Sequence, residues 1–419
     1  MKKIVIIGAG FAGLRLARKL KNKNFEIWLI DKNNYHQFQP LFYQVATSGL
    51  EPSSIAFPLR KLFQKQNNIH VRCAEVTEIF TDKKYIATNS GNFNYDYLVI
   101  ALGAGTNFFG NETIQKNALP MKSVSEALYL RNTILQNLES ALTTEDEETK
   151  KALLNIVIVG GGPTGVEVSG ALAEMKRTVL PKDYPELDFK TMTIYLVEAG
   201  AKTLGTMSEK ASSKSQQYLK ELGVNVLTST QVNSYDGNEV IFSNGNKIIT
   251  KNLIWAAGVK GNLIKGLPEN SVAKGNRIKV NRYNEVENLS NVFALGDIAY
   301  MVTEKYTNGH PQVATVANEQ ADILVKNLLN LQQHKPLLKF EYNDRGSMAT
   351  VGRNLAVVDL PFIKFQGFIA WLFWMFLHLM LILGVKNKLL VFINWMWKYF
   401  TFDQSLRLII KPYKNKYVD

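Results

Sequence analysis

The sequence predicts an α/β fold in which one parallel-sheet domain is inserted into another and a C-terminal, membrane-associated helical segment follows. Three observations carry this. A strand, glycine loop and helix open the chain, the same pattern returns from residue 155, and a long apolar run follows residue 364.

The first element is Ile4-Val5-Ile6-Ile7, a short β-branched run of the kind found in parallel strands covered on both faces. Its four apolar residues are too few for a secretory core, so the run is expected to be a strand and the body to stay in the cytoplasm. Gly8-Ala9-Gly10-Phe11-Ala12-Gly13 follows, then a helix through Leu14, Leu16, Ala17 and Leu20. A second strand, Phe25 to Ile30, ends at Asp31. This order suits a dinucleotide. Gly8 permits the tight turn, Gly10 lets backbone approach a pyrophosphate, and Gly13 lets helix and strand pack closely. The helix start offers unpaired N–H groups to the phosphates, and Asp31 is placed for a ribose hydroxyl.

The pattern recurs. Asn155 to Val159 is a second buried strand, followed by Gly160-Gly161-Gly162-Pro163-Thr164-Gly165, a helix from Val166, and a strand Met192 to Val197 ending at Glu198. A carboxylate beside a ribose accepts from a 2′-hydroxyl and repels a 2′-phosphate, so a dinucleotide without that phosphate is expected here. Late in the chain, Ala294-Leu295-Gly296-Asp297-Ile298-Ala299 complements the first loop. Val99 to Gly103 and Ile254 to Gly258 read as crossings between domains. Both domains are therefore Rossmann-like: residues 1–115 with 265–335, and 116–264 inserted between them, ahead of a membrane-association region at 336–419.

The chain has 419 residues, 49 Lys and Arg against 36 Asp and Glu, and a net charge of +13. Neither a zinc-finger spacing nor an aromatic-basic RNA signature is present, so the charge points to dinucleotides and anionic lipid and not to nucleic acid. Cys73 is the only cysteine, read as a small core residue on a strand. It cannot serve as a redox pair, and no metal site is expected.

The segments GAGFAGL (Gly8–Leu14), FQPLFYQVA (Phe38–Ala46), GGGPTGVE (Gly160–Glu167) and ALGDIA (Ala294–Ala299), with the apolar tail, resemble the type II NADH dehydrogenases. These are single-subunit NADH:quinone oxidoreductases of the two-dinucleotide-binding-domain flavoproteins. The resemblance implies noncovalent FAD on the first loop, held by Gly8, Gly10, Phe11, Ala12, Gly13, Asp31, Lys32, Val76, Gly103, Gly296, Asp297 and Val316, with Ala46 and Thr47 beside the isoalloxazine. It implies NADH on Gly160, Gly162, Thr164, Gly165, Glu198 and Gly258. Glu167 resembles the family glutamate given a part in substrate binding or proton transfer; its structural alternative is a first-turn helix acid at the positive dipole end. Where the family carries a glutamine at its quinone pocket this chain has Thr315, with Asn318 or Gln320 able to compensate.

The expected activity is non-proton-pumping NADH:quinone oxidoreduction with a membrane quinone as acceptor. Two alternatives stay open: a reductase serving a soluble electron-transfer protein, and a nucleotide-binding regulator without turnover. A homodimer also stays open. From Phe365 to Val385 no side chain is formally charged, with His378 neutral, and the run is long enough to cross a bilayer. Lys386, Lys388, Lys398, Arg407, Lys411, Lys414 and Lys416 follow, opposed only by Asp403 and Asp419. Positive flanks belong with the cytoplasm, as does a body that needs NADH. The segment is therefore expected to re-enter or lie in the interface, with Trp371, Trp374, Trp395, Trp397 and Tyr399 at headgroup level, as monotopic attachment to the cytoplasmic face of the cell membrane. His378 is read as a packed or interfacial residue.

Overall fold

The computed structural model describes residues 1–404 and 406–410, which form two compact units. Unit 1 comprises Met1–Gln37, Phe57–Gly105 and Val259–Arg345, and unit 2 comprises Phe38–Ala56, Thr106–Gly258 and Gly346–Asp419. The insertion expected from the two glycine loops is present, with the chain crossing after Gly105 and after Gly258. Residues 38–56 and the described residues of the tail also group with unit 2.

Unit 1 is built on a five-stranded sheet, ordered Val292–Ala294, Tyr97–Ile100, Lys2–Ile7, Phe25–Asp31, Ile69–Cys73. Every neighbouring pair is parallel. Ile4, Val5, Ile6 and Ile7 are buried, as the continuous apolar run requires. Helix Phe11–Lys19 packs on helix Ala314–Gln332, and Arg15 clamps Asp322 through two hydrogen bonds of 2.7 and 2.6 Å. Cys73 corrects its expectation. It ends strand Ile69–Cys73, where it is exposed although it shares a strand face with the buried Ile69 and Val71, and its thiol donates to the Lys32 carbonyl at 3.3 Å.

Unit 2 repeats the plan with an all-parallel sheet ordered Leu119–Pro120, Asn252–Trp255, Ile156–Val159, Ile194–Val197, Val224–Leu227. A three-stranded antiparallel sheet, Ser347–Gly352, Leu355–Asp359 and Lys364–Gln366, lies against helix Pro163–Thr178. The fit there is close: a Cβ on Gly170 would stand 1.5 Å from the Val351 carbonyl oxygen. Helices Phe368–Leu381 and Val385–Thr401 complete the unit.

Candidate active site

In unit 1 the chain leaves strand Lys2–Ile7 through Gly8 at φ +99°, a conformation glycine adopts without strain. A Cβ on Gly13 would stand 1.9 Å from the Gly8 carbonyl oxygen, so only glycine lets the helix start this close to the turn. Gly10 has open space where a side chain would project, which leaves its backbone free to meet a phosphate. Asp31 braces the loop: one carboxylate oxygen accepts from the Ala9 N–H at 2.6 Å and the other from the Asn33 N–H at 2.7 Å. Each oxygen keeps a second lone pair for a hydroxyl. Burial raises the Asp31 pKa, and those N–H donors work against the rise. Gly296, at φ +72°, brings the Gly296–Ile298 turn against this loop, since a Cβ there would lie 3.6 Å from the Ala12 Cβ. Val316 is buried, Val76 opens the strand Val76–Phe80, Lys32 is exposed, and Gly103 at φ +65° has open space before it. Phe11 sets its ring edge-on to His36, 5.5 Å between centroids.

Unit 2 reproduces this geometry. Gly160 has φ +109°, a Cβ on Gly165 would stand 1.8 Å from the Gly160 carbonyl oxygen, and Gly162 faces open space. Glu198 takes the place of Asp31, accepting from the Gly161 and Gly200 N–H groups at 2.6 Å each. Thr164 is exposed in the first helical turn, and Gly258 at φ +71° lies beneath the Phe109 ring. Open space before the backbone, a helix start and a strand-end acid are the features a dinucleotide needs, and both units have them.

Glu167 belongs to neither loop's cradle. It lies in the second turn of helix Pro163–Thr178 and is 9% exposed, so the reading as a first-turn dipole acid fails. Desolvation pushes its pKa up from the usual 4.5 to about 8, against the Thr350 backbone and the Trp374 indole, which favour the anion. The Trp374 N–H makes no well-aligned hydrogen bond, so its opposition is weak. Glu167 in turn helps raise the pKa of Tyr43, after burial, and Tyr43 accepts from Gln44 at 2.8 Å. Gln44 also accepts from the Trp395 indole at 2.7 Å. These residues line a cavity of about 490 Å³ with Trp371, Tyr399, Phe402, Glu174, Arg353 and Lys398. Six aromatic side chains share its walls with charged groups, among them Glu174, Arg353 and Lys398; with its pKa near 8, Glu167 holds its proton at neutral pH.

Residues 2–321 match the pyridine nucleotide-disulphide oxidoreductase family, and residues 345–402 match the NDH2 C-terminal domain. The type II NADH:quinone oxidoreductase Ndh of Mycobacterium tuberculosis is 34% identical over 94% of this chain and 87% of its own length. The chain is a member of the type II NADH:quinone oxidoreductase family. The Staphylococcus aureus relative of that name is 28% identical over 84% of this chain and 88% of its own. A solved structure of NDH2 from Plasmodium falciparum in complex with NADH has the same fold, with a TM-score of 0.89 at 23% identity, covering 98% of this chain and 100% of that one. A sulfide:quinone oxidoreductase from Aquifex aeolicus shares the fold more loosely, with a TM-score of 0.70 at 21% identity over 96% of both chains.

Several residues expected in this type II oxidoreductase stand differently in the structure. Gln320 is 1% exposed and accepts from the Gly296 N–H at 2.7 Å, which makes it a support for the Gly296–Ile298 turn and leaves it enclosed in the fold. Helical periodicity alone could not say which face of Ala314–Gln332 meets that turn. Thr315 shares a 2.8 Å hydrogen bond with the Tyr342 hydroxyl, and Asn318 is half-buried. Ala46 and Thr47 fall in unit 2, at the end of the short helix that carries Tyr43, and Thr47 donates to the Tyr43 carbonyl at 2.9 Å. The residues that sequence reasoning missed are Tyr43, Gln44, Glu174 and Arg353. Tyr43 and Gln44 stood inside the FQPLFYQVA segment, which was the available signal.

The tail is also re-sorted. Among the described residues no helix is long and apolar enough to cross a membrane. The apolar run breaks after the 14-residue helix Phe368–Leu381, which reaches only about 21 Å at 1.5 Å per residue. Trp374 and Trp395 are buried in the unit and do not join an interfacial belt, whereas Trp397 is 59% exposed. His378 stacks on Trp374 at 3.9 Å, and burial lowers its pKa to about 4. Of the expected basic cluster, Lys398 pairs with Glu174 at 3.7 Å and Arg407 pairs with Asp183 and Asp403, so neither is a free cation. Lys386 remains exposed. Lys411, Lys414, Lys416 and Asp419 lie outside the described residues.

Proposed function

We propose that this chain oxidises NADH and reduces a membrane quinone while resting on a lipid surface. Bound FAD supplies the two-electron chemistry between the nicotinamide and the quinone. For the FAD pyrophosphate and ribose we assign the backbone of Gly8, Gly10, Ala12 and Gly13 with Asp31, backed by Gly296, Asp297 and Val316. For NADH we assign Gly160, Gly162, Thr164, Gly165, Glu198 and Gly258. Glu198 holds two N–H groups at 2.6 Å and presents a carboxylate where a 2′-phosphate would be repelled.

The observation that carries the acceptor side is the buried Glu167 in the wall of an aromatic cavity that reaches the C-terminal helices. A neutral carboxylic acid there donates a proton to a reduced carbonyl oxygen and is refilled from the cavity side. Flat rings on the walls suit a quinone ring. Thr315 and Asn318 in unit 1 are further candidates for quinone contact. Rapid mixing tests the scheme. NADH should bleach the flavin faster than NADPH does, and quinone should restore the colour. Equal bleaching rates with the two nucleotides would remove the assignment of Glu198, and a reduced flavin that quinone leaves bleached would remove that of the acceptor.

Membrane contact is supported by the outer face of the two C-terminal helices. Ile369, Leu372, Phe376 and Met380 on the first, and Leu389, Ile393, Met396 and Phe400 on the second, are exposed at helical spacing. A soluble surface rarely exposes so large a contiguous apolar patch. With Lys386 beside it, the patch fits an interfacial position among anionic lipids on the NADH-containing, cytoplasmic side.

A further inference from the structure

The exposed apolar surface of the tail is not confined to its helices. Strands Leu355–Asp359 and Lys364–Gln366 form a hairpin, closed by the Leu360 N–H donating to the Ile363 carbonyl at 2.9 Å, with Pro361 and Phe362 as its two-residue turn. Turn positions of this kind normally carry glycine or small polar residues. Here Phe362 is 100% exposed and Ile363 is 57% exposed. Among the described residues nothing covers Phe362, so water bears its full apolar area and more than half of that of Ile363.

The hairpin is fixed to the first C-terminal helix. Ala356 and Val358 share a buried cluster with Ala370, and Met348, Leu360, Phe365 and Trp371 pack around it. The Phe365 ring meets the Phe373 ring edge-on at 5.7 Å. Strand alternation puts Ile363 on the same side as Phe365, toward the helix but beyond its cover. The turn therefore extends the exposed stripe of Ile369, Phe373 and Phe376 as part of one rigid piece. Lys364, exposed directly behind it, can keep its ammonium at headgroup level.

We propose that the Pro361–Phe362 turn is a third membrane-inserting element, a wedge that enters the headgroup–acyl boundary beside the two helices and sets the depth and tilt of docking. This rests on the membrane-surface reading above. The lipid is preferred as occupant because the turn is continuous with the helical face already assigned to lipid and has a cation immediately behind its apolar tip.

The test uses the full chain with its flavin and vesicles of phosphatidylcholine and phosphatidylglycerol. Phe362→Ser should lower vesicle affinity on the order of tenfold, the partitioning contributed by one phenylalanine side chain. Phe362→Leu should restore most of it. Flavin content and NADH-dependent reduction of a soluble dye should stay unchanged in both, since the side chain touches no other residue class in the fold. In a Cys73→Ser/Phe362→Cys variant, an environment-sensitive fluorophore on the introduced thiol should shift to the blue with vesicles and be quenched by brominated lipid. Unchanged affinity of the Phe362→Ser variant, or a fluorophore that stays in water, overturns the proposal. So does a Phe362→Ser variant whose only change is from dimer to monomer in sedimentation, which would give the turn to a second copy of the chain. Failure of the membrane reading itself would already appear in the unsubstituted protein, as absence of vesicle binding.

Discussion

Replacing Glu167 with Gln removes a charge that the fold disfavours, and the consequence can be worked out from its burial. The carboxyl holds its proton up to about pH 8 in the folded protein, against about 4.5 when solvated. A carboxyl with a raised folded pKa contributes fully below the unfolded value and loses that contribution as pH rises through the folded one. Each pH unit between the two costs about 1.4 kcal/mol. The unsubstituted protein should therefore lose roughly 3 kcal/mol by pH 7 and up to about 5 kcal/mol above pH 8. Glu167→Gln keeps the shape and the neutral state, so it should be spared this loss. Urea unfolding of both proteins with flavin bound, from about pH 5 to about pH 8.5, reads the difference directly. The variant should gain on the parent as pH rises and level off above pH 8. In parallel, quinone-dependent reoxidation in the parent should stay level to about pH 7 and decline around pH 8 as the donor ionises, while the variant is slow at every pH. A stability difference that stays flat from pH 5 to 8.5 would refute the argument, because it would mean that Glu167 is solvated in the fold.

Four further outcomes follow. Glu198→Gln should narrow the preference for NADH over NADPH in stopped-flow flavin reduction, and it should loosen the loop by weakening two charge-assisted bonds from Gly161 and Gly200. Gly13→Ala and Gly165→Ala should separate the two cradles, since each added methyl meets a backbone oxygen at 1.9 and 1.8 Å respectively. The first variant should purify without flavin colour, and the second should keep its flavin while the NADH concentration needed for half-maximal bleaching rises at least tenfold. Exchanging Ile369, Phe376 and Phe400 together for Ser should release the protein from vesicles in a sedimentation assay and leave NADH-dependent dye reduction intact. A chain ending at Asp359 should do more damage: it removes Trp374 from beside Glu167 and the strand Lys364–Gln366 from its sheet, so quinone and dye activities should both fall.

The sequence by itself determined the two glycine loops and their order. The turn at Gly8, the close approach at Gly13 and the acid at Asp31 are governed by backbone geometry within a few tens of residues, and the same holds for Gly160, Gly165 and Glu198. The apolar tail was legible too, because a run without charges is a property of composition. What only tertiary structure decided depends on which distant segment covers a side chain. Desolvation raises Glu167 to about 8 in a helix packed against strand Ser347–Gly352 from far along the chain, and no local pattern encodes that burial. Gln320 is enclosed because the Gly296 turn meets its face of the helix. Trp374 and Trp395 pass from an expected lipid belt to a cavity wall for the same reason: hydrophobicity says that a residue leaves water, and packing alone says whether it enters lipid or protein.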